Sequence, residues 1–262
     1  MIIKDATGET VQLPKPAKRI VSLFPSQTHL LWYLGLDNEV VGVTRFCKYP
    51  PGWKNQKTVI GGTKDVKTER VASLQPDLIL ANKEENTKEI VEELKKIAPV
   101  YVSEIITWED NLKFIEDIGQ MTATTSRAKN LITLLNQKKE EFDKKYRNTP
   151  EKVLYFIWKK PWMTAGRKTF IDTMLQIAGY QNLTPLHKGR YPAWKPEELS
   201  EMRPDTVLLS SEPFPFKPEK HTEETQRIFP HSKILFVEGE PFTWTGAFPL
   251  QAFDYFEKLK KL

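Results

Sequence analysis

Hydrophobic and polar residues alternate along the chain in a pattern that is typical of α/β proteins. Apolar runs that predict strands fall in both halves, at 19–23, 40–44, 58–60, 78–81, 100–102, 153–158, 206–210 and 234–237. Segments with helical periodicity lie between them, at 90–98, 111–121, 170–178, 197–202 and 249–260. Because strands that alternate with helices pack as parallel sheets covered by those helices, we predict an α/β fold with mainly parallel sheets.

Residues 126–147 predict one long helix near the middle of the chain. Their apolar residues form a single stripe, and charged residues occupy the other faces. The segment has no glycine or proline before Pro150, and at about 1.5 Å per residue the helix would be roughly 33 Å long. Such a helix lies along another surface over its length. It either connects two lobes or is an ordinary surface helix.

The two halves of the chain resemble each other, which predicts a duplicated lobe. Residues 68–80 align with residues 196–208 without a gap, and each block reads as a helix with an acid in its first turn, a Pro-Asp stop and a buried strand. A second pair of segments, 29–35 and 173–179, ends at a glycine in each half. Chance similarity between two βα units is the alternative.

We therefore predict two Rossmann-like α/β lobes joined by the long helix. The predicted domains are an N-terminal α/β lobe over 1–122, a connecting backbone helix over 123–148 and a C-terminal α/β lobe over 149–262. A chain of 262 residues suits one or two domains of ordinary size.

Composition and charge narrow the functional classes. With 39% hydrophobic and 28% charged residues the chain suits a soluble globular protein, and no apolar run reaches the ~18–20 residues that span a bilayer. Residues Met1–Asp5 do not read as a signal peptide, so the protein is either cytoplasmic or exported with a leader that this sequence lacks. The net charge of +5 is scattered among acids, which argues against nucleic acid as a partner.

Cysteine and histidine usage argues against a metal site made by the protein itself. Cys47 is the only cysteine, which excludes an intrachain disulfide, a thiolate zinc site and a CxxC redox pair. The four histidines show no HxxxH or HxH pairing. Three of them read as packing or surface residues, and His187 is a candidate axial or hydrogen-bonding partner of a ligand.

A series of short motifs extends over nearly the whole chain. In order, they are Lys18–Ser26, Leu34–Leu36, Val40–Thr44, Tyr49–Pro51, Gly61–Gly62, Glu69–Leu78, Thr164–Gly166, Ala178–Gly179, Trp194, Glu197–Pro204 and the Trp244 segment. The ordered series resembles the helical-backbone class of periplasmic binding proteins, the metal-chelate receptors of ABC importers for cobalamin and ferric siderophores. Each motif alone is unspecific, and the Tyr49–Pro51 block is closer to the cobalamin-binding members.

This resemblance implies a solute-binding protein and not an enzyme. It implies the class III periplasmic binding protein fold, a periplasmic or membrane-anchored extracytoplasmic location, and two partners, a small-molecule metal chelate and an ABC permease. The ligand would be cobalamin or an Fe(III)-siderophore, with no covalently bound cofactor and no metal held by the protein, because the metal arrives already chelated. We expect a monomer whose lobes close only slightly, since the connecting helix resists bending.

Ligands of open parallel sheets lie beyond the carboxyl ends of the strands, and in a two-lobed protein those ends face each other across a cleft. The candidate ligand-binding residues follow predicted strands and are Phe24, Pro25, Ser26, Arg45, Tyr49, Gly62, Trp162, Arg167, Arg190, Trp194 and Trp244. Stiff aromatic rings suit the flat surface of a corrin or a siderophore, and arginines suit anionic groups. For each aromatic residue a place in a lobe core is the alternative, and the choice between corrinoid and ferric chelate stays open.

Glu69 and Glu197 occupy equivalent places in the two repeats. In the family that the chain resembles, acids at this helix start form salt bridges with arginines of the membrane permease. The alternative is an acid that the helix dipole stabilises without any partner.

Two rival functions are an enzyme with the same two-lobe fold and a cytoplasmic corrinoid or haem carrier. The chain has no GxSxG, P-loop or GxGxxG motif, and Cys47 has no evident His or Asn partner for nucleophilic catalysis. The chelate-binding lobes of nitrogenase components share the architecture, but they need cysteine ligands that this sequence lacks.

Overall fold

The structure is a computed structural model that describes residues 1–146 and 150–261. Arg147, the last residue of the predicted long helix, and the predicted domain limits at 148, 149 and 262 lie outside the described residues. The chain divides into two compact units. Unit 1 comprises Met1–Ile105, Glu109–Leu135 and Thr245–Phe248, and unit 2 comprises Ile106–Trp108, Asn136–Trp244 and Pro249–Leu262.

Unit 1 is built on a parallel sheet. Its described strands are β1 (Ile2–Lys4), β2 (Thr10–Gln12), β3 (Ile20–Ser22), β4 (Val40–Val43), β5 (Thr58–Val59), β6 (Leu78–Asn82) and β7 (Val100–Ser103). β1 and β2 form an antiparallel hairpin, and the others pair in parallel in the order β5-β4-β3-β6-β7. The helices of this half of the chain are α1 (Pro25–Tyr33), α2 (Trp53–Gln56), α3 (Thr68–Ser73), α4 (Lys88–Lys95), α5 (Trp108–Met121) and α6 (Thr125–Lys145).

The sheet of unit 2 is mainly parallel. Its described strands are β8 (Glu151–Trp158), β9 (Trp162–Thr164), β10 (Tyr180–Asn182), β11 (Ala193–Trp194), β12 (Thr206–Ser210) and β13 (Lys233–Val237). β8, β10, β12 and β13 run in one direction, whereas β9 is antiparallel to both β8 and β11. The helices are α7 (Phe170–Ile177), α8 (Pro196–Ser200), α9 (Pro218–Ile228), α10 (Glu240–Thr243) and α11 (Pro249–Leu259).

The central strands are apolar because both faces of each sheet are covered. All residues of β6 and all residues of β12 are buried, as the continuous apolar runs at these positions predict. Some helices pack onto the sheets through one face, whereas α1 is buried at every residue from Pro25 to Leu31. In α4, for example, the Thr87 side chain caps the first turn, and Val91 and Leu94 are buried in the core of unit 1. The predicted α/β class with mainly parallel sheets is therefore confirmed.

The two repeats identified in the sequence form the same local structure. The Asp77 carboxylate accepts hydrogen bonds from the backbone N–H groups of Lys18 and Arg19 at 2.8–3.0 Å, where the chain enters β3. The Asp205 carboxylate likewise accepts from Lys152 N–H at 2.8 Å, near the start of β8. Each aspartate N–H donates in return to a carbonyl of the same entering segment. A duplicated lobe predicts this equivalence.

The long central helix is present as α6, over Thr125–Lys145. Its predicted stripe is buried at Ala128, Leu131, Leu135 and Phe142. The helix belongs to unit 1 up to Leu135 and to unit 2 beyond it, so the separate helical domain expected over 123–148 stays a prediction. Among the described residues, no helix combines the length and apolarity that crossing a membrane requires.

A short segment, Thr245–Phe248, belongs to unit 1 although α10 and α11 of unit 2 flank it in sequence. Its anchor is Asn111 on α5, whose side chain accepts from Gly246 N–H at 2.6 Å and donates to Gly246 carbonyl at 3.1 Å. Both bonds are buried. The sequence pattern gave no sign of this return of the chain.

Replacing Asp77 with alanine should destabilise the fold, because the backbone N–H groups of Lys18 and Arg19 would lose their acceptor. We expect the free energy of unfolding to fall by about 1–2 kcal/mol. Urea titration of the Asp77→Ala protein measures this. Asp143→Ala is the control, since Asp143 pairs with Lys139 on the exposed surface of α6 and such pairs contribute only about 0.3–0.5 kcal/mol. Equal losses for the two variants would contradict this account of the strand entry.

Candidate ligand-binding surfaces

The strands of the unit 1 sheet all end at the same edge, because they all run parallel. The segments that follow them form a surface that we call edge 1, made of residues 23–26, 44–49, 60–66, 82–87 and 104–105. In unit 2 the ends of β8, β12 and β13 form the corresponding surface, edge 2, made of residues 158–161, 211–217 and 238–240. Parallel α/β sheets bind their ligands at this edge.

Arg45 and Gly62 lie together on edge 1. The Arg45 guanidinium makes a bidentate ion pair with Asp65, with Nη1–Oδ2 at 2.7 Å and Nη2–Oδ1 at 2.9 Å. Its central carbon lies 5.0 Å from the centre of the Phe46 ring, and Phe46 is 49% exposed. Hydrogen bonds from Arg45 lower the pKa of Asp65, so the carboxylate is charged at neutral pH. The position of Phe46 next to Arg45, after a predicted strand, gave a signal in the sequence, whereas Asp65 was not among the predicted contacts.

Tyr49 is half-buried and belongs to an aromatic group beneath edge 1. Its ring centre lies 6.1 Å from that of His29 and 6.3 Å from that of Phe248. The neighbouring Cys47 is buried, and burial raises the pKa of its thiol to about 11. A thiol with this pKa stays protonated near neutral pH, which argues against Cys47 as a nucleophile.

The other predicted contacts of unit 1 lie where β3 ends and α1 begins. Phe24 is half-buried, whereas Pro25 and Ser26 are buried. The Ser26 hydroxyl is 2.9 Å from the Thr245 hydroxyl, so it is engaged inside unit 1. The role of these three residues in ligand binding stays a prediction.

Edge 2 presents a ladder of aromatic rings. Trp158, at the end of β8, is 40% exposed, and its ring centre lies 5.7 Å from that of Phe214. Phe214 in turn lies 4.7 Å from Phe216, and both rings contact His221 on α9. The placement of Trp158 and Phe214 after strands gave a signal in the sequence, whereas nothing there linked Phe216 to His221.

Trp162 and Trp194 lie opposite each other on β9 and β11, and both are buried. The Trp162 ring stacks on Phe216 at 6.0 Å, and the Trp194 indole N–H donates to Thr164 Oγ1 at 2.8 Å. Trp244 is also buried, at the end of α10. Their burial favours packing roles, and their contact with a ligand stays a prediction.

Arg167 and Arg190 lie on adjoining backbone segments at the far end of β9 from Trp162. The Arg190 carbonyl accepts a hydrogen bond from Gly166 N–H at 2.6 Å, which places Arg190 beside the segment that leads to Arg167. Arg167 is exposed. Because β9 runs antiparallel to β8, this end of β9 points away from edge 2. The structure therefore places the backbone of the two arginines on adjoining segments, at the opposite end of β9 from edge 2.

Charge is balanced on both edges, although the whole chain carries +5. On edge 1 four basic residues meet four acidic ones, namely Arg45, Lys48, Lys64 and Lys83 with Asp65, Glu84, Glu85 and Glu104. On edge 2 three meet three, namely Lys159, Lys160 and Lys217 with Glu212, Glu238 and Glu240. Within edge 1, Lys83 pairs with Glu104 at 2.7 Å. Lys159 of edge 2 pairs with Glu224 on α9.

A depression of about 440 Å³ lies elsewhere on unit 1. Its lining residues are Lys18, Gly35, Leu36, Glu39, Thr122, Ala123, Thr124, Thr125, Ser126 and Arg127. This lining contains no aromatic ring, so it offers no flat apolar face for a macrocycle. The described residues also contain no cluster of three or more His, Cys, Asp or Glu side chains that could hold a metal ion.

Glu69 and Glu197 take equivalent positions in the two units. Each is exposed in the first turn of its helix, α3 for Glu69 and α8 for Glu197. The predicted docking role requires this exposure. Contact with a permease stays a prediction.

Comparison with known proteins identifies the family. Residues 20–228 match the family described as periplasmic binding protein, so the chain belongs to it. An uncharacterized ABC transporter substrate-binding lipoprotein of Bacillus subtilis is 29% identical over 79% of this chain and 68% of its own length. A vitamin B12-binding protein of Vibrio parahaemolyticus is 27% identical over 75% of this chain and 72% of its own.

A solved structure confirms the fold class. The Staphylococcus aureus protein SirA, complexed with staphyloferrin B, superposes with a TM-score of 0.78 at 18% identity, over 100% of this chain and 97% of that one. Similarity at this level of identity shows the fold. The expected class III periplasmic binding protein fold is therefore confirmed.

Burial of His29 should make stability depend on pH. Burial lowers its pKa from 6.5 to about 4, so as the pH falls the unfolded chain takes up the proton first. The contribution of His29 is therefore complete above pH 6.5 and is lost between pH 6.5 and 4. Between pH 7.5 and pH 5 it should lower the free energy of unfolding by about 2 kcal/mol.

Urea titrations at these two pH values test this. The pH dependence should be smaller in His29→Asn than in the wild type, and unchanged in His231→Asn, a change at an exposed histidine. An identical pH dependence in His29→Asn and the wild type would show that His29 is not the responsible group.

Proposed function

We propose that the protein is the solute-binding component of an ABC importer. Its ligand is a cobalamin-type corrinoid, which binds to the aromatic residues of edge 1 and edge 2. The protein delivers this ligand to a membrane permease. The observation that carries the proposal is the combination of exposed aromatic rings with balanced charge on both edges. Enclosure of the ligand between two lobes stays a prediction.

Exposed rings at the carboxyl edges suit a flat macrocycle. Phe46 on edge 1 and Trp158 on edge 2 keep 49% and 40% of their surface exposed, and neither position is required by a core. Aromatic side chains of this kind give large contact areas with little loss of rotamer entropy. A corrin ring offers a broad apolar face of matching shape.

Charge balance favours a corrinoid over a ferric catecholate. A tris-catecholate complex of iron carries several negative charges, and its binding surface would be expected to carry a complementary excess of basic residues. Edge 1 and edge 2 have none, because their basic residues are matched in number by acids. The periphery of a corrinoid carries neutral amides, which a balanced surface accommodates without an unpaired charge.

Similarity to known proteins supports the same reading. The family is one of solute-binding proteins, and the relative from Vibrio parahaemolyticus is named for binding vitamin B12. The relative from Bacillus subtilis is named as a lipoprotein of an ABC transporter, which supports an extracytoplasmic place, periplasmic or membrane-anchored. We expect the protein to act as a monomer.

A ferric siderophore is the second candidate ligand. It is favoured by Arg167 and Arg190, which lie on adjoining backbone segments of unit 2, and by the fold shared with a protein that was solved with staphyloferrin B. The location of both arginines at the far end of β9 places them away from the aromatic ladder of edge 2, which is why we rank this candidate second.

Removing the Trp158 ring should weaken corrinoid binding. We expect Trp158→Ala to raise the dissociation constant for cyanocobalamin about tenfold, the effect of one large aromatic contact. Isothermal titration of cyanocobalamin into wild type and variant measures this. Trp32→Ala is the matched control, because Trp32 is also 40% exposed but lies in the last turn of α1 and belongs to neither edge. Equal effects in both variants would contradict binding at edge 2. If the wild-type protein bound a ferric siderophore and not cyanocobalamin, the second candidate ligand would replace the corrinoid.

Neutralising the two equivalent acids should impair transfer but not ligand binding. We expect Glu69→Gln combined with Glu197→Gln to lower the affinity for the permease complex in nanodiscs by at least about tenfold, since two charge-assisted contacts would be lost. The affinity for cyanocobalamin should stay the same. Glu89→Gln is the control, because Glu89 is an exposed acid in the first turn of α4. If Glu89→Gln reduced permease affinity equally, these acids would have no specific docking role.

A further inference from the structure

Arg45 is a basic residue of edge 1 whose guanidinium group is already engaged in an ion pair. Both of its terminal nitrogens bond to Asp65, at 2.7 and 2.9 Å. Exposed ion pairs usually contribute little to stability and exchange easily with water. This pair has two features that set it apart, a bidentate geometry and a carboxylate that the backbone holds in place.

The backbone around Asp65 fixes the carboxylate. Gly62 N–H donates to Asp65 Oδ1 at 3.1 Å. The loop that carries both residues is closed by a β-bridge between Gly61 and Val66, and Lys67 N–H donates to the Ile60 carbonyl at 2.8 Å. Asp65 is thus presented to Arg45 by a short closed loop.

Because Gly62 has no side chain, it leaves room for the ion pair between Arg45 and Asp65. A Cβ atom at this position would lie 2.9 Å from Arg45 Nη2, 3.0 Å from the Phe46 ring and closer still to Asp65 Oδ1. A residue with a side chain would therefore push the pair apart. Gly62 was predicted to contact the ligand. Its role here is to let the side chains of Arg45, Phe46 and Asp65 lie close together.

The chemical result is a flat patch without net charge. The guanidinium lies over the Phe46 ring at 5.0 Å, and its fork points at Asp65. A neutral ligand can rest on this patch while the ion pair stays intact. A ligand with a peripheral carboxylate or catecholate oxygen would have to displace Asp65 to reach the fork, and it would meet the negative charge of Asp65.

We propose that Asp65 is a specificity-determining residue that occupies the fork of Arg45 and thereby selects against chelates with anionic peripheral groups. This inference rests on the proposed function, in which edge 1 contacts the ligand. It adds a selective role to a residue that the sequence did not single out.

Asp65→Asn is the test, because it removes the negative charge at nearly constant shape. The probes are cyanocobalamin and the ferric complex of a tris-catecholate siderophore, each titrated by calorimetry. We expect the ratio of the two dissociation constants to shift about tenfold toward the ferric complex, as one charge-assisted bidentate contact becomes available. Adding Arg45→Gln to Asp65→Asn should abolish this shift.

Glu223→Gln is the control, since Glu223 also pairs with an arginine, Arg227, but on the exposed face of α9. It should leave the ratio at the wild-type value. An Asp65→Asn protein that behaves like Glu223→Gln would overturn the proposal, and so would a shift that persists in the double variant.

A second measurement does not depend on the transport function. Titration with inorganic sulfate, followed through the Arg45 Nε–Hε signal by NMR, should give a saturable shift in Asp65→Asn and none in the wild type over the same range. Equal responses would overturn the proposal. Absence of wild-type binding to every chelate would refute the proposed function instead, while the sulfate titration would still decide whether Asp65 withholds Arg45 from anions.

Discussion

Parallel pairing of the strands determines how both sheets are built and where their loops lie. A strand that runs parallel to its neighbours needs a crossover between them, and helices supply it, so both faces of the sheet are covered and the strands become continuously apolar. Strands β6 and β12 show this directly, since every one of their residues is buried. The same constraint brings the ends of neighbouring strands, which lie far apart in sequence, to one edge. Arg45 after β4 and Asp65 after β5 can therefore meet, although 20 residues separate them.

The aspartates of the two repeats show how this arrangement is fixed in register. Asp77 and Asp205 precede the central strands β6 and β12, and each binds the backbone where the neighbouring strand begins. A misplaced strand would lose these hydrogen bonds and their contribution to stability. The proposed ligand-binding residues lie at the opposite, carboxyl edge of the same strands.

Much of the fold could be predicted from the sequence, because periodicity reports burial over whole elements. The strands of the parallel sheets, the helix α6 and the equivalence of the two repeats all follow from patterns of this length. Several short strands were missed, β1 and β2 among them, whereas the equally short β3 and β5 lie within the predicted apolar runs 19–23 and 58–60. β9, β10 and β11 have two or three residues each, too few to show a period, and their pairing explains why Trp162 and Trp194 are buried despite their proline-flanked surroundings. The site could be predicted only as a set of segments, since the partners of Arg45 and Trp158 depend on tertiary contacts.

Hydrogen exchange measured by mass spectrometry, with and without saturating cyanocobalamin, locates the bound ligand. A ligand on edge 1 and edge 2 should slow exchange in residues 44–49, 60–66, 158–161 and 211–217. It should stay the same in residues 122–127, which line the depression elsewhere on unit 1. Slowing confined to 122–127, or no slowing of either edge at a concentration that saturates the protein, would contradict binding at the carboxyl edges of the two sheets.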